Sequence, residues 1–427
     1  MDEFADRDVD VDQPSRRNFL KGSTAAIGGG IVGVAGLATA AQAQQANNLP
    51  PNVPEWMTYP GDDTAHNPYG LPSPYEEHVV RKVLGTPKTY SAASSRTPLQ
   101  DLDGIITPNG LHYERHHGGI PEIDPAQHRL MIFGLVDRPL VFTMDDLKRF
   151  PSVSRIHMME CSGNQSFTAT GRNTAQELMG LVSCAEWTGV ALKTVLEECG
   201  VQSNARWVVA EGADAAAMTR SIPLEKCLDD VILAYSQNGE RIRPEQGYPL
   251  RIFVPGYEGN MSVKWLRSLQ VREEPIYSRE ETSKYTDLLP DGHSRQFSFM
   301  MEAKSIITYP SGGQQLSAQG YHEISGLAWS GYGKIERVEV SVDGGETWQE
   351  AQLQDPVLPI CLTRFRLPWA WEGEPVTIMS RAIDETGYVQ PTLEALLDAR
   401  GRNSVYHNHA IQPWAIAANG EVSNANA

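Results

Sequence analysis

The chain changes character near Ser305, and that change limits the fold more than any other feature. Before it, strand-like apolar runs alternate with helical spacing. Leu130 to Val136 reads as a strand. Met144 to Phe150 reads as a short helix, opened by Thr143 with Asp145 and Asp146 in its first turn, where a hydroxyl and two carboxylates meet the free N–H groups of a helix start. Val190 to Cys199 has Val190, Leu192, Val195 and Leu196 on one helical side, and Gly200 stops it. Trp207 to Ala210, Leu250 to Val254, Ser262 to Trp265 and Leu269 to Val271 read as strands of a mixed α+β region that runs to about residue 300. From Ser305 the helical patterns vanish. Ile324 to Trp329, Ile335 to Val342, Trp348 to Leu353 and Val376 to Ile383 are short strands, two of them joined by an Asp343-Gly344-Gly345 hairpin. Strands at this spacing predict a β-sandwich of immunoglobulin-like size.

With 427 residues the chain has room for two or three domains. Its net charge of −17 argues against nucleic acid as a partner. Its five cysteines, Cys161, Cys184, Cys199, Cys227 and Cys361, are an odd number in no Cys-x-x-Cys pairing, so neither a zinc ribbon nor a thioredoxin motif is present. No Cys-x-x-Cys-His occurs, so no c-type haem is expected on this chain. Near the start, Ser15-Arg16-Arg17-Asn18-Phe19-Leu20-Lys21 precedes a weakly apolar, Gly/Ala-rich run from Ala25 to Ala43 that ends in Ala41-Gln42-Ala43. Paired arginines, such a run and a small-residue cleavage site are the pattern of a twin-arginine export signal, with the bacterial periplasm as destination and no membrane attachment after cleavage. Gly28-Gly29-Gly30 makes the run a poor bilayer span. Residues 44 to 100, rich in Pro, Asn, Ser and Gly with little periodicity, read as an extended arm.

Cys161 is the position of greatest chemical interest. The run His157-Met158-Met159-Glu160-Cys161 ends an apolar strand, and Ser162-Gly163-Asn164 turns away from it, so the thiol faces a loop. A single soft thiolate suits a soft or high-valent metal rather than structural zinc, although a lone cysteine is also an ordinary core residue. Several cations stand where a core would not tolerate them unpaired. Arg115 lies among His112, His116 and His117; Arg251 lies inside an apolar strand; Lys264 precedes Trp265; Arg400 and Arg402 flank a glycine. Each needs an anion, from the chain's own carboxylates or from an anionic cofactor or substrate, and arginine fits forked recognition of phosphate and oxyanions. The three histidines lack the helical His-Glu-x-x-His arrangement of a zinc site.

Glu160-Cys161-Ser162-Gly163-Asn164 resembles the cysteine motif of the sulfite oxidase family of molybdopterin oxidoreductases. Trp187-x-Gly189, Ser221-Ile222-Pro223, Leu233-Ala234-Tyr235, Gly247-Tyr248-Pro249-Leu250-Arg251, Val254-Pro255-Gly256 and Val263-Lys264-Trp265-Leu266 are similar to that family in the same order. So are Gly326-x-Ala328-Trp329-Ser330-Gly331 and Ser341-Val342-Asp343-Gly344-Gly345-x-Thr347-Trp348, which resemble its dimerisation domain. The resemblance implies a mixed α+β domain holding one molybdenum with one pterin, then an immunoglobulin-like β-sandwich that pairs two subunits. With the signal at 1–43 and the arm at 44–100, it implies a molybdopterin-binding domain at 101–301 and a dimerisation domain with a C-terminal tail at 302–427. Carried over by motif, Cys161 ligates molybdenum. His117, Arg251 and Lys264 hold the pterin and its phosphate. Arg115, Tyr285 and Arg400 line the anion pocket beside the metal.

The chain departs from the family at Gln165-Ser166, where sulfite oxidases have two arginines, and at Gln246, where they have a histidine. Loss of a pocket arginine weakens the grip on a small free dianion. With the export signal and the tail from Tyr406-His407-Asn408-His409 to Trp414, the departures resemble the branch of the family that oxidises sulfane sulfur held on a carrier protein in thiosulfate oxidation. That branch passes electrons to a c-type cytochrome subunit. The alternative is a dehydrogenase of free sulfite; a reading of a different class is an exported sandwich protein that binds sugars or partners and catalyses nothing.

The export reading carries its own test. Replacing Arg16 and Arg17 together by lysine keeps the charge, so an address read by a receptor is lost and full-length precursor accumulates in the cytoplasm. Cell fractionation with immunoblotting checks this; normal amounts of shortened periplasmic protein contradict it.

Overall fold

A computed structural model describes residues 54–165 and 171–426. The export segment and Ser166 lie outside the described residues. Residues 54–73 belong to a unit of their own, with a 3-10 turn at Glu55–Met57 and exposed Trp56, Tyr59 and Tyr69; all that follows concerns Pro74 onward. Among the described residues no helix is long and apolar enough to cross a membrane.

Two sheets make the first half. One is antiparallel, in the order Glu240–Arg241, Ile232–Gln237, Val182–Ala191, Ser152–Glu160, with Arg251–Phe253 also paired on Ile232–Gln237. The other runs Leu140–Phe142, Leu130–Gly134, Leu266–Arg272, Trp207–Gly212, Thr219–Pro223, with Leu130–Gly134 and Leu266–Arg272 parallel. The strand Ser152–Glu160 starts exposed at the surface and ends in four buried residues, so it carries Glu160 and Cys161 into the interior. Two short helices are fixed by reciprocal caps. Thr143 and Asp146 close a capping box on Met144–Lys148, and Thr174 and Glu177 do the same on Ala175–Met179. After that helix, Gly180 lies so close to the short strand Ser94–Arg96 that an added Cβ would sit 2.7 Å from the Thr97 carbonyl and 2.8 Å from the Arg96 Cβ. Only glycine permits that approach.

The second half is an eight-stranded, all-antiparallel sheet: Lys304–Tyr309, Gly320–Trp329, Thr363–Trp371, Gln349–Leu353, Ile335–Ser341, Val376–Asp384, Pro413–Ile416, Val422–Asn424. It curls on itself, bringing Ser305 on its first strand within 2.9 Å of Ser380 on its sixth. This agrees with the sandwich expected from the spacing, and Gly344 and Gly345 adopt the positive φ of the expected hairpin.

Three local readings need correction. Ser262 to Trp265 is not a strand: Trp265 has φ 51°, and the strand begins only at Leu266. Val190 belongs to the strand Val182–Ala191, and the helix is Leu192–Cys199 with Gly200 in the left-handed region. Helices also do not end at Ser305, because Leu393–Arg400 is one, capped by Thr392.

One of three hydrophobic clusters among the described residues spans both halves. Met158, Met179, Val182 and Cys184 pack with Ala303, Ile306, Trp329 and Phe365. The Met158 N–H donates to the Ile360 carbonyl at 2.8 Å, and the Cys184 and Cys361 sulfurs lie 3.2 Å apart as free thiols. At the seam, Lys304 Nζ is 2.6 Å from Glu160 Oε1, with both side chains at most 1% exposed. Trp329 Nε1 donates to Glu160 Oε2 at 2.7 Å and Asn164 Nδ2 to Oε1 at 2.9 Å. Lys304→Met leaves a buried carboxylate without its cation. Breaking one side of a buried pair costs roughly 3–5 kcal/mol, so urea unfolding of Lys304→Met is expected to show a loss of that order. An unchanged midpoint contradicts the assignment.

Candidate active site

Cys161 is held from both sides. Its N–H donates to the Leu181 carbonyl at 2.9 Å, and its carbonyl accepts from the Asn164 N–H at 2.8 Å. Asn164 Oδ1 accepts from the Leu181 N–H at 3.1 Å, which ties the loop to the next strand. Burial pushes the thiol pKa up, against the opposing effects of the Gly163 N–H and Arg115. Cys161 lies in the walls of two cavities, which therefore adjoin at this residue.

The first cavity contains Arg115, His117, Arg251, Lys264 and Tyr285 in its wall. Arg251, at the start of its strand, is 1% exposed and donates to the carbonyls of Gln246 and Ser262 at 2.9 and 2.8 Å. Its Nε has no partner, and its guanidinium lies 5.1 Å from the Trp187 ring. Burial lowers its pKa to about 10. Lys264 Nζ donates to the carbonyls of Arg115 and Glu245, both at 3.0 Å, and contacts His116 Nδ1 at 2.9 Å. Burial, then Arg251, drives its pKa well below the usual lysine range. Among the described residues neither cation, nor Arg115, pairs with a carboxylate within 4 Å. Asp214 is the acidic residue of this wall, and its Oδ1 accepts from the Met218 N–H at 3.2 Å. Unpaired buried cations in a walled cavity need an anion.

His117 Nε2 lies 2.7 Å from Tyr285 Oη. Burial, then Arg115, lowers the His117 pKa to about 3, so the ring that meets the phenol is neutral. Tyr285 is itself held protonated, its pKa pushed up by burial and then by Cys161. Gln165, Trp265, Tyr285 and His407 all have φ between 50° and 59°, so side-chain-bearing residues in the left-handed region surround the site.

Cys161, Arg115, His117, Arg251, Lys264 and Tyr285 therefore converge. Arg400 does not join them. It lies in neither cavity wall, and its guanidinium pairs with Glu302 and donates to the His407 carbonyl at 2.7 Å. That region is a buried network. His407 Nδ1 is 3.1 Å from Glu302 and its Nε2 is 3.6 Å from Glu258, while its backbone N–H donates to the Ser162 carbonyl at 2.8 Å. His116 is taken up by Glu114 and Lys264, and among the described residues no group of three His, Cys, Asp or Glu side chains could hold a metal ion.

Sequence reasoning missed Arg96, which lines the second cavity with Arg115 and Cys161 and comes from the aperiodic segment read as an arm. It also missed Glu160, Lys304 and Trp329, although a carboxylate next to the cysteine on an apolar strand was a signal. Gln246, where the family has histidine, donates to the Tyr113 carbonyl at 2.8 Å and supplies the carbonyl that holds Arg251.

A soft sulfur donor in the wall of a cation-lined cavity would fit a negatively charged metal cofactor such as molybdenum on a phosphorylated pterin. The orphaned Arg251 Nε and the donor set of Arg251 and Lys264 fit the phosphate. Residues 117–280 match the oxidoreductase molybdopterin binding domain and residues 295–413 the Mo-co oxidoreductase dimerisation domain. The fold and site thus define a molybdopterin-dependent oxidoreductase. The chain is 32% identical over 375 residues to the mitochondrial sulfite oxidase of Mus musculus, covering 79% of this chain and 67% of that protein. It is 33% identical over 351 residues to the NADH nitrate reductase of Solanum lycopersicum, covering 70% of this chain and 38% of the reductase. The crystal structure of the sulfane dehydrogenase SoxCD from Paracoccus pantotrophus superimposes with a TM-score of 0.85 at 47% identity, over 87% of this chain and 97% of that one. The chain belongs to the sulfite oxidase family of molybdopterin oxidoreductases.

The network around His407 has a pH signature. Burial alone would lower the imidazole pKa, but the facing carboxylates of Glu258 and Glu302 outweigh it and hold it at about 9. In the unfolded chain the value is about 6.5. The stabilisation is therefore complete below about pH 6.5 and is lost as pH rises through about 9. Urea midpoints of wild type and His407→Gln are expected to converge between pH 6.5 and 9; a constant difference across that window contradicts the assignment.

Proposed function

We propose that this chain is a periplasmic molybdenum enzyme that oxidises sulfane sulfur carried on a partner protein, as one half of a pair with a c-type cytochrome. The observation that carries the reading is the meeting of two cavities at Cys161. One is walled by cations whose hydrogen bonds go to backbone carbonyls, and it suits one pterin with its phosphate and one molybdenum on the Cys161 thiolate. The other opens past Arg279 and Lys284 and suits an anionic sulfur group. The 47% identity to a sulfane dehydrogenase supports this substrate class.

Arg251 keeps its Nε free for the phosphate end, while Lys264, whose Nζ reaches the Arg115 and Glu245 carbonyls and His116, fixes the wall around it. Arg115 orients the substrate anion. His117 fixes the Tyr285 hydroxyl, and that hydroxyl holds its proton beside the thiolate. The bound cofactor supplies the two-electron redox change. With no haem motif in the sequence, electrons leave for the cytochrome, and the C-terminal sheet pairs two copies of the chain. The second reading, a free-sulfite dehydrogenase, is favoured by the likeness to sulfite oxidase.

Metal analysis of the purified protein is the first test: about one molybdenum per chain is expected, and a metal-free protein that folds normally sinks the reading. Cys161→Ser replaces a soft ligand by a hard one. It should fold as wild type yet lose turnover by more than the roughly 10–100-fold typical when an outer-shell partner of a metal is removed. Cytochrome reduction with carrier-bound sulfur and with sulfite separates the two substrates.

A further inference from the structure

The sequence has a serine at 166 where sulfite oxidases carry an arginine, yet the second cavity still holds a buried cation besides Arg115. It is Arg96, supplied from a different element. The strand Ser94–Arg96 pairs antiparallel with Glu114–Arg115, with Ser94 opposite Arg115 and Ser95 opposite Glu114. Side chains alternate along a strand and cross-strand partners share a face, so Ser94, Arg96 and Arg115 point the same way. All three line the cavity that contains Cys161.

Arg96 is 5% exposed. Its backbone is locked, since its carbonyl accepts from Gln176 Nε2 at 2.8 Å and Gly180 packs against its Cβ. Its side chain is not. Among the described residues no carboxylate lies within 4 Å of its guanidinium, and Nη1 is buried without a hydrogen-bond partner. Burial, then the neighbouring Arg172, lowers its pKa to about 10, while the Cys161 thiolate opposes that fall. A buried guanidinium beside a second arginine, with a free donor, is expensive unless an anion joins it. The same free donors, set in a rigid strand pair, are what forked recognition of an anion requires.

We propose that Arg96 is a substrate-binding residue that, with Arg115, clamps the negative charge of the sulfur group beside Cys161. The proposal rests on the reading above that this cavity admits an anionic sulfur compound. The recognised chemistry is the same for a free oxyanion such as sulfite and for the charged sulfane group of a cysteine on a carrier peptide.

The test uses molybdenum-loaded wild-type enzyme, Arg96→Gln and Arg96→Lys, with metal content measured in each. Steady-state kinetics are run with sulfite and with a peptide bearing a cysteine persulfide, and sulfate serves as a competing anion. In Arg96→Gln, KM for the anion that is the true substrate should rise tenfold or more, kcat should change less, and sulfate inhibition should weaken by a similar factor. Arg96→Lys should recover part of the loss, because it keeps the charge without the fork. If Arg96→Gln does not fold, a severalfold rise in KM for Arg96→Lys carries the same conclusion. A rise with the peptide alone assigns Arg96 to carrier-bound sulfur, and a rise with sulfite alone assigns it to the free anion. Unchanged KM and unchanged sulfate inhibition in a fully loaded variant overturn the proposal and leave Arg96 a packing residue. Failure of the underlying reading looks different: wild-type enzyme then oxidises neither compound. Sulfate binding measured by calorimetry on wild type and variant still decides whether Arg96 holds an anion.

Discussion

Glu160 and Lys304 are the pair on which the site depends. The carboxylate sits next to Cys161 in sequence, at the buried end of a strand that enters from the surface. The ammonium opens the first strand of the C-terminal sheet. Both are cut off from water, so each charge requires the other, and Trp329 and Asn164 satisfy the remaining carboxylate lone pairs. Such a pair adds little net stability over a well-packed apolar substitute. Its effect is positional. The loop Cys161–Asn164 reaches its conformation only when strand, loop and C-terminal sheet meet, which is why one hydrophobic cluster spans both halves.

From that anchor the electrostatics divide. On the cofactor side, Arg251 and Lys264 are surrounded by carbonyl oxygens of Gln246, Ser262, Arg115 and Glu245. Carbonyls orient a cation without cancelling its charge, so these side chains are fixed in place and still attract an anion. On the far side of the Cys161 loop the logic is reversed. His407, Glu258, Glu302, Arg220 and Arg400 neutralise one another in a closed network, and the His407 N–H grips the Ser162 carbonyl. One shell is left charged to bind; the other is balanced to hold shape. The left-handed conformations of Trp265, Tyr285 and His407 lie in these two shells, where the surrounding hydrogen bonds over-determine the backbone.

Much of this was legible because some residues are improbable in their local setting. A cysteine ending an apolar strand before Ser-Gly-Asn, an arginine inside an apolar strand and a lysine before a tryptophan each violate a simple pattern, and the fold brings all three to one cavity. Arg400 looked the same by that criterion, but the helix Leu393–Arg400 turns it toward Glu302, and nothing in the local pattern announces a carboxylate about a hundred residues earlier. Ser262 to Trp265 alternates like a strand, yet hydrogen bonds of Lys264 and Trp265 to the 244–245 backbone bend it away from the sheet. Arg96 was invisible for the opposite reason. It sits in an aperiodic segment whose one buried stretch is created by tertiary contact with Gly180 and Gln176, and periodicity reports only on faces that repeat.

The same contrast bears on how one fold serves different substrates. The cofactor side is built from residues fixed by backbone carbonyls, so substitution there disturbs several elements at once: Gln246 stands in a histidine's place and still supplies the carbonyl that orients Arg251. Arg96 and Arg115 reach the other cavity from a short two-strand ladder. Because Arg96 and Arg115 come from a different element than Cys161, the shape of the opening as well as its charge depends on that ladder, and shape is what distinguishes a small free anion from the same charge on the end of a protein arm.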